Sequence, residues 1–201
     1  MRLAIAAVAL FAAAPLAAAT LDVPSGKYAN DPAHTSVTFR IMHLGLSNYT
    51  ARLTKIVSTV DLNAADVAKS KLAVAIDPKS VKTDFPFAEK VDFDAEIGSG
   101  DKFLDGKAFP EIKFVSTGIV LGSGKSAKIS GLLTLRGVTK PVVLDAVLNG
   151  TMQPNAMFKV PAFGVSATAH IKRSEWGMTY GTQFVGDDVE LLIQAEYRPV
   201  G

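Results

Sequence analysis

The feature that most constrains the fold is a strict alternation of apolar and polar side chains that recurs along the chain. In residues 36–45, which read SVTFRIMHLG, Val37, Phe39 and Ile41 fall on one face and Thr38 and Arg40 on the other. A repeat of two residues is that of a β-strand. Similar runs cover residues 49–62, 71–76, 112–121, 127–136, 142–149, 163–172 and 189–197. Short segments rich in Gly, Pro, Asn, Asp and Ser separate most of them. The pattern predicts an all-β protein, an antiparallel sheet of about eight strands closed into a barrel or folded into a sandwich.

One connection, residues 85–110, is too long for a hairpin loop. It reads FPFAEKVDFDAEIGSGDKFLDGKAFP and is rich in helix formers, which predicts a helical crossover near residues 86–98. The helical face carries few apolar anchors, so we expect weak docking on the barrel mouth and a lid that opens to admit a ligand. The carboxylates of KVDFDAE are expected to lie on a solvated surface.

The first nineteen residues have the pattern of a signal peptide. Arg2 gives a minimal positive region, residues 3–11 are apolar, and the three alanines 17–19 offer a cleavage site. We therefore predict export to the periplasm and a mature domain over residues 20–201. No later segment reaches ~18 continuous apolar residues, so no integral membrane span is predicted. The chain has no cysteine, which excludes a disulfide or a thiolate metal site.

Charge and motif patterns exclude several function classes. Twenty-one basic and nineteen acidic residues are interleaved without a basic stripe, which argues against nucleic acid as a partner. His34 and His43 are nine residues apart, so on one regular strand they point to opposite faces about 30 Å apart and cannot share a metal. No Gly-x-Ser-x-Gly elbow and no His-Glu-x-x-His helix is present. The sequence predicts no catalytic residue, metal or cofactor, which favours a binding protein. Two alternatives remain: an enzyme that acts on an amphiphile inside the barrel, and a surface module whose interior is filled by side chains.

The apolar rows predict an apolar tunnel inside the barrel. Residues on its wall are predicted to be Phe39, Ile41, Phe114, Leu133 and Leu135, with Phe163 as a further ligand contact. Small residues such as Gly131 and Ala167 interrupt the strands, where they either leave room for a ligand tail or mark close packing. If Gly131 leaves room, a Gly131→Trp variant should block loading and still fold.

Five blocks resemble the YceI-like family of bacterial lipid-binding proteins. They read YANDPAHTSVTFRIMHLGLSNYTARL, FLDGKAFPEIKFVST, ISGLLTLRGVTKPVVL, IKRSEWGM and VGDDVELLIQAEY, in this order over nearly the whole chain after residue 19. The resemblance implies an elongated, lipocalin-like antiparallel β-barrel that holds a polyisoprenoid or similar long-chain amphiphile, such as an isoprenoid quinone or a fatty-acid derivative, for carriage, storage or sequestration. It also implies a non-enzymatic, periplasmic protein.

Carried over by position, the resemblance predicts ligand contacts in the matching blocks. These are Phe39, Ile41, His43, Phe114, Leu133, Arg173 and Trp176. Trp176 stands where the family commonly has a smaller aromatic residue, so we expect it to narrow the cavity. Transient contact with a membrane and a homodimer both stay open at this stage.

Overall fold

The computed structural model describes residues 20–154 and 159–200, and the predicted signal peptide lies outside them. Within this part of the chain, the elements are β1 Gly26–Asn30, β2 Ser36–His43, β3 Ser47–Leu53, β4 Ile56–Leu62, β5 Lys71–Ile76, β6 Val81–Lys82, α1 Phe93–Ser99, β7 Ile112–Leu121, β8 Ser126–Leu135, β9 Val138–Met152, β10 Ala162–Lys172 and β11 Val185–Pro199. All strand pairings between them are antiparallel. No helix in the described ranges is long and apolar enough to cross a membrane.

The eleven strands form a closed barrel with eight strand positions, which we call staves; a stave can consist of one strand or of two shorter strands end to end. Strand β11 pairs along its length with both β1 and β2, so that Pro199 meets Tyr28 and Ile193 meets Val37. In the same way, β4 and β3 continue one another beside β1 and β2, and β5 and β6 follow beside them. Three staves are therefore broken strands, and β7 to β11 supply the other five. The predicted all-β, lipocalin-like barrel of about eight strands is confirmed.

One break falls inside a segment that was predicted to be a single strand, residues 49–62. The hydroxyl of Ser80 accepts hydrogen bonds from the backbone N–H groups of Thr54 (3.2 Å) and Lys55 (3.0 Å). These two N–H groups bond to a side chain 25 or 26 positions away and not to a neighbouring strand. The strand is therefore interrupted at Thr54 and Lys55. The prediction of one uninterrupted strand was wrong for this reason.

Strand β1 was missed in the sequence because it is short and has no clear alternation. It is separated from β2 by a single 3-10 turn that begins with Pro32. Asp31 caps this turn, and its carboxylate accepts a hydrogen bond from the Ala33 N–H at 2.9 Å. The turn lets β1 and β2 both lie against β11 with a bend between them.

The crossover contains a shorter helix than the sequence predicted. Residues 86–90 form turns, and α1 begins only after Asp92, whose side chain accepts a hydrogen bond from the Ala95 N–H at 2.9 Å. An aspartate in this N-cap position satisfies one of the free N–H groups of the first helical turn. Helix formers alone therefore placed the start of the helix several residues too early.

Among the described residues, buried apolar side chains form two clusters in the barrel. The larger one lies inside the barrel and includes residues from nearly every stave. The smaller one lies where β1 completes the ring and contains three aromatic rings. The ring of Phe163 stacks on Tyr197 with centroids 5.0 Å apart, and its other neighbour Tyr28 lies 5.2 Å away. We call this aromatic cluster the plug.

Candidate functional site

A cavity of about 800 Å³ runs inside the barrel. Strand β11 illustrates how the sequence builds its wall, because every second residue faces inward. These lining residues are Val189, Leu191, Ile193, Ala195 and Tyr197. Alternation on a strand fixes this parity, since neighbouring side chains point to opposite faces. A volume of this size lies in the range of pockets that hold one small molecule, roughly 300–1,000 Å³.

The structure brings most of the predicted site residues together on this wall. Those that line the cavity are Phe39, Ile41, His43, Phe114, Leu133, Leu135 and Arg173. They come from β2, β7, β8 and the short 3-10 turn after β10. The predicted tunnel residues therefore share one cavity, and their contact with a ligand stays a prediction.

Phe163 and Trp176 lie elsewhere. Phe163 belongs to the plug, where Tyr28 and Tyr197 cover it. Trp176 is 2% exposed in the main core and is not part of the cavity wall, so it does not narrow the cavity. The turn formed by residues 173–176 presents Arg173 to the cavity and buries Trp176 beside it, which the sequence alone did not reveal. The indole N–H of Trp176 has no hydrogen-bond partner among the described residues.

Gly131 marks close packing and leaves no room for a ligand. A Cβ atom at this position would lie 2.2 Å from Cζ of Phe114 and 2.7 Å from the carbonyl oxygen of Val115. The ring of Phe114 therefore rests directly on the backbone of β8. The expectation that a Gly131→Trp variant would fold and simply fill the cavity is wrong for this reason. Ala167 and Ala195, by contrast, do line the cavity.

Arg173 is a buried cation that organises a loop. Its side chain donates hydrogen bonds to the backbone carbonyls of Gly186 (2.9 Å), Met178 (3.0 Å) and Tyr180 (2.8 Å). A fourth bond reaches the carbonyl of Val185 at 2.8 Å. Burial lowers the pKa of its guanidinium, whereas the charge of Asp187 raises it. Since these four bonds hold the loop between β10 and β11 to the first residues of β11, the main task of Arg173 is to shape that part of the wall.

The cavity opens at the end that holds this loop. Exposed lining residues mark the mouth: His43 and Ser47 in the β2–β3 hairpin, and Tyr180 and Phe184 in the loop. At this end of the barrel, β6 pairs with β3 and with no other strand of the described residues. A gap without backbone hydrogen bonds therefore separates β6 from β7. The crossover fills that gap, and three of its aromatic residues line the cavity: Phe85, Phe93 and Phe103.

The crossover is tied to the barrel by a carboxylate that was expected to be solvated. Asp94 accepts hydrogen bonds from the N–H and hydroxyl of Thr83, both at 2.7 Å, and from the ammonium of Lys82 at 2.9 Å. Burial alone would raise the pKa of Asp94, but these hydrogen bonds outweigh it and lower the pKa to about 2. Gly98 lies so close to Lys79 that a Cβ atom there would be 3.0 Å from its Cα. Helix α1 thus has a firmer attachment than its few apolar residues predicted.

The inner end of the cavity is closed by a polar pair that includes Tyr197 of the plug. The hydroxyls of Ser58 and Tyr197 are 2.7 Å apart, and the two residues are 2% and 6% exposed. Burial raises the pKa of the Tyr197 phenol, so it stays protonated at neutral pH. One of the two hydroxyls donates to the other, and this bond fixes the base of the cavity.

The histidines do not converge on a common centre. His34 lies in the turn between β1 and β2, with Nδ1 3.0 Å from a carboxylate oxygen of Asp31, and this hydrogen bond raises the pKa of His34. Asp31, His34 and Glu196 could offer three ligand atoms within 4.8 Å of one another. The guanidinium of Arg198 lies 2.9 Å from the same Asp31 oxygen, so a metal cation would have to displace a positive charge. The group is therefore built as an ion-pair cluster that fixes the turn, and His43 lies at the mouth.

Sequence reasoning missed the loop between β10 and β11 as part of the site. Tyr180 and Phe184 line the mouth but do not belong to an alternating run. A signal was available, because residues 177–186 contain two aromatic residues and no charged residue.

Comparison with protein families and curated proteins gives consistent matches. A family model described as YceI-like domain matches residues 28–197. A UPF0312 protein of Pseudomonas savastanoi is 39% identical over 117 residues, which cover 58% of this chain and 58% of that protein. The chain thus spans a little over half the length of that relative.

Solved structures share the barrel. A YceI protein of Campylobacter jejuni is 27% identical, with a TM-score of 0.68 over 80% of this chain and 91% of its own. A polyisoprenoid binding domain from Saccharophagus degradans, implicated in plant cell wall breakdown, is 13% identical, with a TM-score of 0.61 over 86% of this chain and 98% of its own. The second likeness establishes the fold alone.

Proposed function

The chain belongs to the YceI-like family, and from this premise we propose that it is a non-enzymatic carrier of a long-chain isoprenoid or similar amphiphile. The observation that carries the proposal is the cavity of about 800 Å³ inside the barrel, whose wall is built mainly from inward-facing apolar residues. Eight-stranded barrels can hold one small ligand when their centre is not filled by side chains. The ligand class named for the Saccharophagus degradans domain fits such a cavity.

The energetics of an apolar wall favour a ligand with a long tail. Each methylene that is transferred from water into the cavity contributes ~0.8 kcal/mol, so a long tail binds tightly without specific polar contacts. We place the tail along Phe39, Ile193 and Leu133, towards the Ser58–Tyr197 pair. The head group then lies at the mouth, where His43 and Gln183 offer polar side chains.

We propose that the protein works after export, in the periplasm, as one domain over residues 20–201. The alanine-rich leader supports cleavage after Ala19. A carrier in an aqueous compartment requires the ligand tail to be shielded from water, and the cavity provides that shield. Determination of the N-terminal residue of the exported protein tests the cleavage site, with Thr20 expected.

Mass spectrometry of organic extracts tests the proposed cargo. Protein purified without detergent from its exporting cell is expected to release a long-chain amphiphile in stoichiometric amount. Protein that is empty in every preparation and does not take up an isoprenoid quinone dispersed from ethanol would contradict the proposal.

Strand parity provides a matched pair of variants for the same experiment. Ile193 faces the cavity beside Ala167, whereas Leu192 lies on the opposite face of the same strand. An indole at Ile193 occupies the space of the tail, so Ile193→Trp should lower cargo occupancy at least about tenfold. Leu192→Trp should leave occupancy unchanged. Equal occupancy in the two variants would mean that the cargo lies outside the barrel.

A further inference from the structure

Two segments at the mouth are free of formal charge. Residues 41–49 of the β2–β3 hairpin contain no Asp, Glu, Lys or Arg. The same holds for residues 177–186, which cover the loop between β10 and β11 and the first two residues of β11. Charged residues make up 20% of the chain, so these 19 positions would carry about four at the average frequency. Both segments border the opening of the cavity, so this part of the mouth carries no formal charge.

The same two segments expose large apolar side chains. Leu46 is 82% exposed, Phe184 59%, Tyr180 54%, Leu44 53% and Met42 40%. The segments touch, since the Leu44 N–H donates to the Phe184 carbonyl at 2.7 Å. We call these five residues the mouth rim.

The tip of the hairpin places a leucine where a strand turn normally carries Asn or Gly. Leu44 has a φ of 52° and Gly45 a φ of 71°, so both adopt the left-handed conformation. A bulky residue in this conformation costs roughly 1–2 kcal/mol. The hairpin therefore exposes the apolar side chain of Leu44 at its tip and loses local stability in doing so. This cost indicates that the side chain contacts something outside the protein.

The rim is continuous with the cavity. Tyr180 and Phe184 face solvent and also line the cavity wall. A ligand tail that leaves the cavity through the mouth would meet these rings before it met water. The rim is thus placed to join the cavity to an apolar environment outside the protein.

We propose that the mouth rim inserts into the surface of a lipid bilayer, so that cargo passes between bilayer and cavity without crossing water. Uncharged side chains enter the boundary between head groups and acyl chains without the cost of desolvating an ion. Aromatic rings such as Tyr180 and Phe184 are well suited to that boundary. The proposal builds on the proposed lipid-carrying function, but docking can be measured without cargo.

Charge next to the rim indicates which kind of bilayer contact to expect. Residues 85–110 of the crossover carry six acidic and three basic side chains. Anionic head groups would be repelled by this segment, so docking is driven by apolar insertion. Binding should therefore be insensitive to salt and at least as strong on neutral as on anionic vesicles.

Co-sedimentation with phosphatidylcholine vesicles, with and without phosphatidylglycerol, tests the proposal. The exported full-length product is used throughout, with the N terminus determined by mass spectrometry, so that every variant shares the same leader processing. The double variant Leu44→Ser, Leu46→Ser should lose at least about tenfold in partitioning to phosphatidylcholine.

The matched control is the double variant Leu132→Ser, Val143→Ser on the outer barrel wall. Both residues are apolar and 44% exposed, but neither lines the cavity or belongs to the mouth rim. This control should bind vesicles like the wild type. An equal loss in both double variants, no loss in the rim variant, or wild-type binding that needs phosphatidylglycerol and disappears in high salt would overturn the proposal.

A second measurement separates docking from cargo binding. Each variant is loaded with an isoprenoid quinone dispersed from ethanol, and occupancy is measured by mass spectrometry. The rim variant should retain wild-type occupancy, since neither Leu44 nor Leu46 lines the cavity. Normal quinone uptake by a wild-type protein that ignores vesicles overturns the docking proposal alone. Vesicle binding without quinone uptake supports docking and contradicts the proposed function.

Discussion

The two ends of the barrel are built in opposite ways. At the inner end, β1 pairs with both β4 and β11, and the plug covers the base of the cavity with three aromatic rings in contact. At the mouth, no ladder joins β6 to β7 within the described residues, and a crossover held by hydrogen bonds fills the gap. The inner end therefore buries its aromatic residues, whereas the mouth exposes several of its own.

Because its two ends differ, one sheet can form a stable fold and still leave its cavity accessible to a ligand. Backbone pairing around the ring leaves no unpaired edge at the inner end, so apolar packing there contributes fully to stability. At the mouth, aromatic and aliphatic side chains remain half exposed and contribute little to folding. The free energy of burying these side chains therefore remains available for contact with a ligand or a bilayer.

The largest expected effect is a loss of stability, compared between a substitution in the plug and one in the crossover at the mouth. Phe163 is 6% exposed between two rings, so Phe163→Ala should lower the free energy of unfolding by about 3–5 kcal/mol. Phe87, in the crossover, is 50% exposed, and Phe87→Ala should cost less than about 1 kcal/mol. Urea denaturation followed by circular dichroism measures both. Similar losses in the two variants would mean that the ends do not differ in the way described.

The next effect concerns the cation that shapes the mouth. In Arg173→Met, four backbone carbonyls lose their donors, two in the loop between β10 and β11 and two at the start of β11. The free energy of unfolding should therefore fall by about 2–3 kcal/mol. Hydrogen exchange should rise across residues 177–186 and remain unchanged in the plug.

Arg173→Lys separates geometry from charge in this prediction. A lysine keeps the positive charge, but its single ammonium cannot span the carbonyls that a planar guanidinium reaches. We therefore expect raised exchange in this variant as well. Full protection of the loop in Arg173→Lys would show that the charge matters and the bonding pattern does not.

The smallest effect is a pH dependence at the attachment of the crossover. The pKa of Asp94 is about 2 in the folded protein, below its ordinary value of 3.8. The ionised carboxylate therefore stabilises the fold fully above pH 3.8, and this stabilisation is lost as the pH falls through about 2. Thermal unfolding between pH 5 and about 2 should show the loss in the wild type and a shallower one in Asp94→Asn.

Glu89→Gln is the control for this measurement, because Glu89 is an exposed carboxylate of the same crossover. It should follow the wild-type pH profile. A profile in Asp94→Asn as steep as that of the wild type would assign the acid sensitivity to other carboxylates. At neutral pH, Asp94→Asn should cost about 1–2 kcal/mol, since charge-assisted hydrogen bonds are replaced by neutral ones.

Alternation in the sequence was sufficient to predict the fold class and most of the cavity wall. On a regular strand the period of two residues decides which face a side chain takes, so Phe39, Ile41 and Leu133 could be assigned to the interior before any contact was known. The family resemblance added Arg173, which no periodic pattern indicates. The approximate position of the crossover followed from its length and composition.

Tertiary structure alone decided the features that depend on contacts between distant residues. Ser80 breaks the β3–β4 stave from 25 positions away, Phe114 occupies the space above Gly131, and Asp94 reaches Thr83 instead of solvent. A local pattern records the direction of a side chain along its own strand, but it carries no information on which neighbour will meet that side chain. For this reason the sequence by itself determined a barrel with an apolar interior, and the three-dimensional packing decided which end of it is sealed and which end is open.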